Sequence, residues 1–534
     1  MKRAMIFLLT LLLTFTSIAC KKQTEKGTLE INFTIAGYGE AYIPELIDAF
    51  TKKTGIKVEY TTDDNATNSA IGRISTVKKN TTDIFFTMVS CFPLIDSYKN
   101  KGGYENLFMD LSDLYEMEVP GKGKKLKEIV RQDLYEANLT YNIDGTPGKS
   151  YIVPWTSSLE GFIANKKALA KYGITELPRT TDEFEELLDL IKSGKTTDGK
   201  PVMPADRVAG GITCANNSAY WGFIWPTWWA QYGGVECIDT YFAARPEGAT
   251  EPYVPDWKAL DQEGKLVAIE ETYRFLNNAN GYMDPACENR DHLQSQVDFL
   301  DGKAAFIPSG AWIETETAQD FYNEGADVSF VMMKVPVTSR LGEKLGISDE
   351  ELRAAIDYAD KKTDEKPSFE GKTAAEADEI LARVSEARGI VGSILTNQNK
   401  AVIPAYTTEK EEAYQFMLFY ASDEAQEILI KHGIMSAFGY TSETEESFTE
   451  FSRSMFDILN KDNTVLLIPG TRYPMAYKSG LDFTAHTSMT SANKGFENLI
   501  FKGTATAQKI YDDELTYFQN RWSQMLVNAG YGRK

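Results

Sequence analysis

Residues 216–234 read NNSAYWGFIWPTWWAQYGG and hold four of the chain's eight tryptophans. Aromatic rings beside amide and hydroxyl side chains, here Asn217, Tyr220 and Trp221, suit one chemistry above others. Flat rings cover the apolar C–H faces of a sugar, while carboxylates, amides and guanidinium groups take its hydroxyls with directional bonds. The same run is hydrophobic enough to be core helix, so at least two of its tryptophans are expected simply to be buried. Other chemistries lack their residues. His292, His432 and His486 stand far apart with no HxxxH spacing, and no CxxC occurs, so no metal site is expected. GxSxG, HExxH and the GxxxxGK[ST] phosphate loop are absent from the sequence, and no cofactor is expected. With 77 acidic residues some pair of carboxylates could always be chosen for glycoside hydrolysis, which makes a hydrolase the weaker, rival reading. A formal charge of −21 leaves no basic face for nucleic acid.

A length of 534 residues suggests two to four domains. Residues 29–36 alternate apolar and polar side chains, the mark of a half-buried strand. Ile43, Leu46, Ile47 and Phe50 then fall at helical spacing over 42–54, with Pro44 in the first turn and Gly55 at the stop. Strands at 56–60 and 83–88 complete a parallel βαβ unit, so the class is α/β. Further strands are expected at 150–154 and 161–165. Thr180 with Glu183 forms a capping box ahead of a helix that buries Phe184, Leu187, Leu188 and Ile191. Residues 338–390 are charged and alanine-rich, with a second capping box at Ser348 and Glu351, and read as an inserted pair of helices. Another helix is expected at 410–421.

Lys2 and Arg3 precede an apolar run, 4–19, too short to span a bilayer and typical of a secretory signal. Its end, Ser17-Ile18-Ala19-Cys20, resembles a bacterial lipobox. That resemblance implies cleavage after residue 19, acyl chains on Cys20, and a linker over 20–27. Each buried acyl CH₂ contributes about 0.8 kcal/mol, so two or three chains anchor a soluble body firmly. Cys91, Cys214, Cys237 and Cys287 follow in the mature chain. Cys214 and Cys237, within one segment, are the first candidates for a disulfide, and free buried thiols are the alternative.

Five segments in order carry a wider resemblance: YIPELIDAFTKKTGIKVEY (42–60), DIFFTM (83–88), GKSYIVPWTSSLEGFIANKKALAKYGITELPRTTDEFEELL (148–188), FLDGKAAFIPSGAWIET (299–315) and AYQFMLFYASDEAQEILIKHG (413–433). Together they resemble the extracellular solute-binding proteins of ABC transporters, in the group that includes maltodextrin- and other sugar-binding proteins. The resemblance implies a type II periplasmic-binding-protein-like fold: two α/β lobes with a cleft between them and crossing hinge strands. It implies lobe one over 28–155 and 334–425, with 338–390 as a helical insertion on it, and lobe two over 156–333 and 426–534. The implied activity is capture of a small solute, a sugar or oligosaccharide, and delivery to an ABC permease by a monomeric, exported, lipid-anchored receptor that is not an enzyme. A surface sensor or adhesin on the same fold is the other alternative.

Clefts in open α/β sheets are lined by turns at the carboxyl ends of strands. Tyr38, Asp63, Asp64, Ser90 and Trp155 meet that condition. Trp312, in SGAW, matches a position where sugar-binding relatives place a stacking tryptophan. Asn217, Tyr220 and Trp221 match a region of polar and aromatic cleft residues, and Arg472, after LIPG, matches a late segment that returns to the cleft. Trp155 either touches ligand or wedges the crossing, and Asp63 and Asp64 are either ligands or solvated loop charges. The chain departs from the sugar-binding pattern where several relatives carry acidic residues. Thr87–Ser90 and Trp155–Ser158 stand there instead.

Overall fold

Two sheets organise the computed structural model, which describes residues 27–35, 37–63, 80–97, 106–214, 219–317, 328–392, 399–438, 448–490 and 495–532. The expected signal segment and Cys20 lie outside these residues, as do Asp64 and Asn217. The first sheet starts with β1 (Leu29–Thr34), followed by α1 (Tyr42–Thr54), which buries Tyr42, Ile43, Leu46, Ile47 and Phe50 as the spacing requires. Gly55 ends α1 at φ 73°, a left-handed conformation that costs a residue without Cβ nothing. β2 (Val58–Asp63) and β3 (Ile84–Thr87) flank β1 in parallel register, closing the expected βαβ unit. A hairpin of β4 (Leu139–Tyr141) and β5 (Pro147–Ser150) stands apart, and β6 (Val153–Pro154) leads to the crossing.

β7 (Glu160–Asn165) opens the second sheet and is buried along its whole length. α2 (Thr181–Ser193) begins where expected, the Thr180 side chain accepting from Glu183 N–H at 3.2 Å. β8 (Gly210–Ile212), α3 (Trp225–Gly233), α4 (Cys237–Ala243), α5 (Glu263–Leu276), α6 (His292–Leu300), β9 (Ala304–Gly310), α7 (Ile313–Thr317) and β10 (Phe330–Met333) follow. β9 runs antiparallel to β7 and parallel to β8, and β10 pairs with the other edge of β7. Trp225 and Trp229, one helical turn apart on α3, stack at 6.1 Å and 8°, and the Trp228 and Trp229 indoles donate to Pro336 O and Gln262 Oε1 at 3.1 and 2.9 Å. These three tryptophans therefore hold the lobe-two core together.

The insertion departs from expectation. α8 (Asp349–Ala359) and α9 (Ala374–Gly389) both begin with complete capping boxes, at Ser348/Glu351 and Thr373/Glu376. They pack on lobe two, not lobe one. Arg179 ahead of α2 ion-pairs with Asp357, Arg383 donates to Gln231 O, and Val235 N–H donates to Glu386 Oε1 at 3.0 Å. The reason lies downstream: β11 (Ile390–Gly392) joins the second sheet, pairing with β7 and with the later β13 (Val465–Leu467). An excursion that leaves and re-enters one sheet stays with that lobe. The crossing back to the first sheet falls between Gly392 and β12 (Lys400–Val402), which pairs with β3 and β6.

The expected boundary at 425/426 also moves. α10 (Lys410–Tyr420) and α11 (Asp423–Lys431) belong to lobe one, where Glu424 and Lys431 of α11 ion-pair with Lys53 and Glu45 of α1. The next crossing is at 434–438, where Met435 O accepts Thr156 Oγ1–H at 2.7 Å and Ser157 N–H at 3.1 Å. α12 (Glu450–Leu459) is back on lobe two, its Ser454 hydroxyl accepting from Met332 N–H of β10 at 2.9 Å. α13 (Pro474–Tyr477) and α14 (Ala507–Ala529) complete that lobe. Among the described residues, lobe one is thus drawn from 28–155 with 399–438, and lobe two from 156–392 with 448–532.

Candidate functional site

The turn after β1 and the residues after β9 meet at the seam between the lobes. From lobe one, β1 runs into the turn Gly37-Tyr38-Gly39, whose glycines sit at φ 75° and 70°. Tyr38 is 4% exposed and meets Trp155 edge-to-face at 5.6 Å, its hydroxyl facing the side chains of Ser158, Thr156 and Asn399. Burial pushes the Tyr38 phenol well above its usual range, so it stays a neutral donor. Trp155 follows β6 and is buried against Tyr38 and Phe86. Its indole N–H has no hydrogen-bond partner among the described residues. The Asn399 Oδ1 and Lys400 Nζ atoms at the start of β12 are likewise buried and unpartnered among the described residues. The ammonium of Lys400 lies 4.6 Å above the Phe92 ring, and burial lowers its pKa to about 8. A buried polar atom left unpaired costs about 1–3 kcal/mol, so Trp155 Nε1 and Asn399 Oδ1 beside Tyr38 mark places that a polar guest would complete, whereas Lys400 lies on the other face of the sheet.

From lobe two comes an aromatic wall. Trp312 follows β9, lies back over Gly310, and meets Phe223 edge-to-face at 5.7 Å. Phe223 in turn stacks on Tyr220 at 5.0 Å. At the end of this wall Glu316 of α7 accepts from Gln296 Nε2–H at 2.8 Å, and burial raises its pKa. The lobes meet here: a Cβ on Gly37 would stand 3.0 Å from both Trp312 Cβ and Glu316 Oε1, and one on Gly39 3.6 Å from Thr315 Cγ2. Trp312 is 6% exposed, covered on one side by its own lobe and on the other by the turn of the opposite lobe.

The structure therefore gathers Tyr38, Trp155, Tyr220 and Trp312 at the seam. Asp63 ends β2 at the outer edge of the first sheet, half-buried, and Ser90 is exposed after β3. Trp221 departs from its expected place. It is fully buried, edge-on to Phe162 at 5.7 Å, because the 3₁₀ turn Ala219–Phe223 points it into the core while Tyr220 and Phe223 face Trp312. Arg472 departs too. It is 5% exposed, ion-paired with Asp239, with its guanidinium 5.0 and 5.6 Å from the Tyr473 and Tyr141 rings, a set of partners apart from the Trp312 wall. Phe223 comes from the aromatic run 216–234 that the sequence singles out, whereas Asn399 and Glu316 join the site without any local sequence signal.

The sequence model for bacterial extracellular solute-binding proteins matches residues 36–427, most of the chain. The protein belongs to that family. By sequence, no match to a curated protein is found. Among solved structures, this solute-binding protein is similar to RafE in complex with raffinose, at 16% identity and TM-score 0.52 over 92% of this chain and 99% of that one. It is also similar to a chitin oligosaccharide binding protein (12% identity, TM-score 0.54, 93% and 100% covered) and to the GacH receptor of Streptomyces glaucescens, solved unliganded and with acarbose (12%, 0.55, 95% and 100%). Likeness at that identity establishes the shared two-lobe fold.

In a solute-binding protein the Gly37 contact acts on lobe closure. Gly37→Ala places a Cβ at 3.0 Å from Trp312 and Glu316 only when the lobes are together. The left-handed backbone at Gly37 strains alanine equally in both forms, so only the crowding at the seam, about 1 kcal/mol, shifts the balance toward the open form, several-fold in the open-to-closed ratio. A larger radius of gyration in small-angle X-ray scattering would register it, and an unchanged scattering curve would show that this seam does not govern closure.

Proposed function

We propose that the protein is a lipid-anchored receptor that binds a carbohydrate between its lobes and passes it to an ABC permease in the membrane. The observation that carries this reading is the pairing of opposites at the seam. Tyr220, Phe223 and Trp312 form an apolar wall on one lobe, while Trp155 Nε1 and Asn399 Oδ1, unpaired among the described residues, lie on the other. A sugar ring has both kinds of surface. Its C–H face stacks on the wall and its hydroxyls satisfy the polar atoms. Ligand gripped by both lobes favours the closed form by the contacts it makes only there. The lipobox-like Ser17–Cys20 supports anchoring through Cys20, and no helix among the described residues is long and apolar enough to cross a membrane. The absence of acidic residues at 87–90 and 155–158 suits a guest held by neutral hydroxyl and amide groups.

Isothermal titration against mono-, di- and oligosaccharides tests this directly, with chromatography of the mixture afterwards. The expected result is saturable one-to-one binding with the sugar recovered intact. Heat-silent titrations across the whole panel would sink the carbohydrate assignment, and shortened products would restore the hydrolase.

A further inference from the structure

We propose that Cys214 and Cys287 form a disulfide when the chain folds outside the cytoplasm, stapling one wall of the cleft. The expected pairing of Cys214 with Cys237 has no support in the structure, where Cys91, Cys214, Cys237 and Cys287 are not disulfide-bonded. Cys237 opens α4 with its thiol toward Trp229 O at 3.8 Å. Cys214 lies elsewhere, against Cys287.

Backbone pairing brings them together. Ile212 at the end of β8 donates to Tyr282 O at 3.0 Å and accepts from Asp284 N–H at 2.8 Å, so 282–284 runs parallel beside β8. A Cβ on Gly210 would overlap the Asp284 backbone, which requires glycine at that crossing. The next residues on each side are Thr213-Cys214 and the turn Pro285–Asn289, capped by Asp284 and carrying Cys287. Cys214 N–H donates to Cys287 Sγ at 3.2 Å, the Thr213 hydroxyl lies 3.7 Å from the same sulfur, and the Cys214 side chain hydrogen-bonds it as well. The Cys287 sulfur thus touches both the backbone and the side chain of Cys214, the close approach that a disulfide requires. Both segments are held from outside. Ser295 of α6 donates to Cys214 O at 3.0 Å, and Arg290 ties Asp284 to Asp298. The hydrogen bond from Cys214 leads the influences that lower the Cys287 thiol's pKa, and the thiolate is the form that attacks a disulfide.

Closing the bridge takes two electrons and two protons from the thiols. They go to a disulfide-bearing oxidant, an exported thiol oxidoreductase or a small-molecule disulfide, which leaves as two thiols through a mixed disulfide. Both cysteines are 0% exposed in the folded protein, so this exchange belongs to folding, before the core shuts. Cys214 directly precedes the segment that leads to Tyr220 and Phe223, so the staple fixes the root of the aromatic wall.

The test is refolding of the full chain in a glutathione redox buffer, alkylation in denaturant with N-ethylmaleimide, and peptide mapping by mass spectrometry. The expected map has one linked pair, Cys214 with Cys287, two hydrogens lighter than the separate peptides, with Cys91 and Cys237 alkylated. Reductant should lower the melting temperature of the wild type by about 5 °C and leave that of Cys287→Ala unmoved. Alkylation of Cys214 and Cys287 after oxidative refolding, or a bridge that uses Cys237 or Cys91, overturns the proposal. The wild-type map decides it even if the variant does not fold.

Discussion

Trp312→Ala is expected to weaken carbohydrate binding by roughly 100-fold. Capping one face of a sugar ring with an indole removes apolar area from water worth about 2–3 kcal/mol, which corresponds to that factor. The ring is pre-set for this. It lies over Gly310 and is braced edge-on by Phe223 at 5.7 Å, so little side-chain entropy is lost on binding. Trp312→Phe, which keeps a smaller face, should recover part of the loss. Titration of the best glycan from the panel is the measurement. Alanine affinity within threefold of the wild type would remove Trp312 from the site and with it the stacking argument. Because Trp312 also touches the turn at Gly37, the alanine variant should scatter X-rays as a wider ensemble even without sugar.

The second large effect concerns stability. Asp360, just past α8, is the anion of a buried cluster: Arg388 Nη2 lies 2.9 Å from it, Lys334 Nζ 3.2 Å and Lys461 Nζ 3.7 Å. The Asp360 and Lys334 side chains are only 6% and 5% exposed. Asp360→Ala leaves two buried cations without their counter-charge, and the expected loss is about 3–5 kcal/mol of unfolding free energy in urea titration. Removing the whole cluster, as Lys334→Met with Asp360→Leu and Arg388→Met, should restore most of it, since no charge is then stranded. A single-variant loss under about 1 kcal/mol would mean that water reaches the cluster.

The same group sets an acid limit. Burial alone would raise the pKa of Asp360, but Arg388 and Lys334 outweigh it and hold the carboxylate at about 2, against an unfolded value near 3.8. A depressed carboxylate binds fewer protons folded than unfolded, so its contribution, roughly 2 kcal/mol, is present above about pH 4 and lost as the pH falls toward 2. This cluster ties β10, the end of α8 and the end of α9 together, which explains why the insertion rides rigidly on lobe two.

Elements whose signals are local could be read from the chain alone. β1, α1 and β2 follow from period-two and helical spacing closed by Gly55, and α2 and α8 follow from Thr180 and Ser348, because a cap and an amphipathic stripe need only neighbours a few residues away. The family resemblance was likewise legible, carried by five ordered segments. Only the tertiary structure decided where those elements go. Ile390–Gly392 is three residues with no readable period, yet its pairing with β7 and β13 assigns the whole insertion to lobe two. Trp221 and Tyr220 are adjacent and chemically alike, but one turn sends the first into the core and the second to the seam. Arg472 is held by Asp239, and Cys214 by Cys287, across 233 and 73 residues. Such partners are chosen by backbone registers that form far from either residue, and a linear reading has no term for a contact whose energy exists only after the sheets have closed.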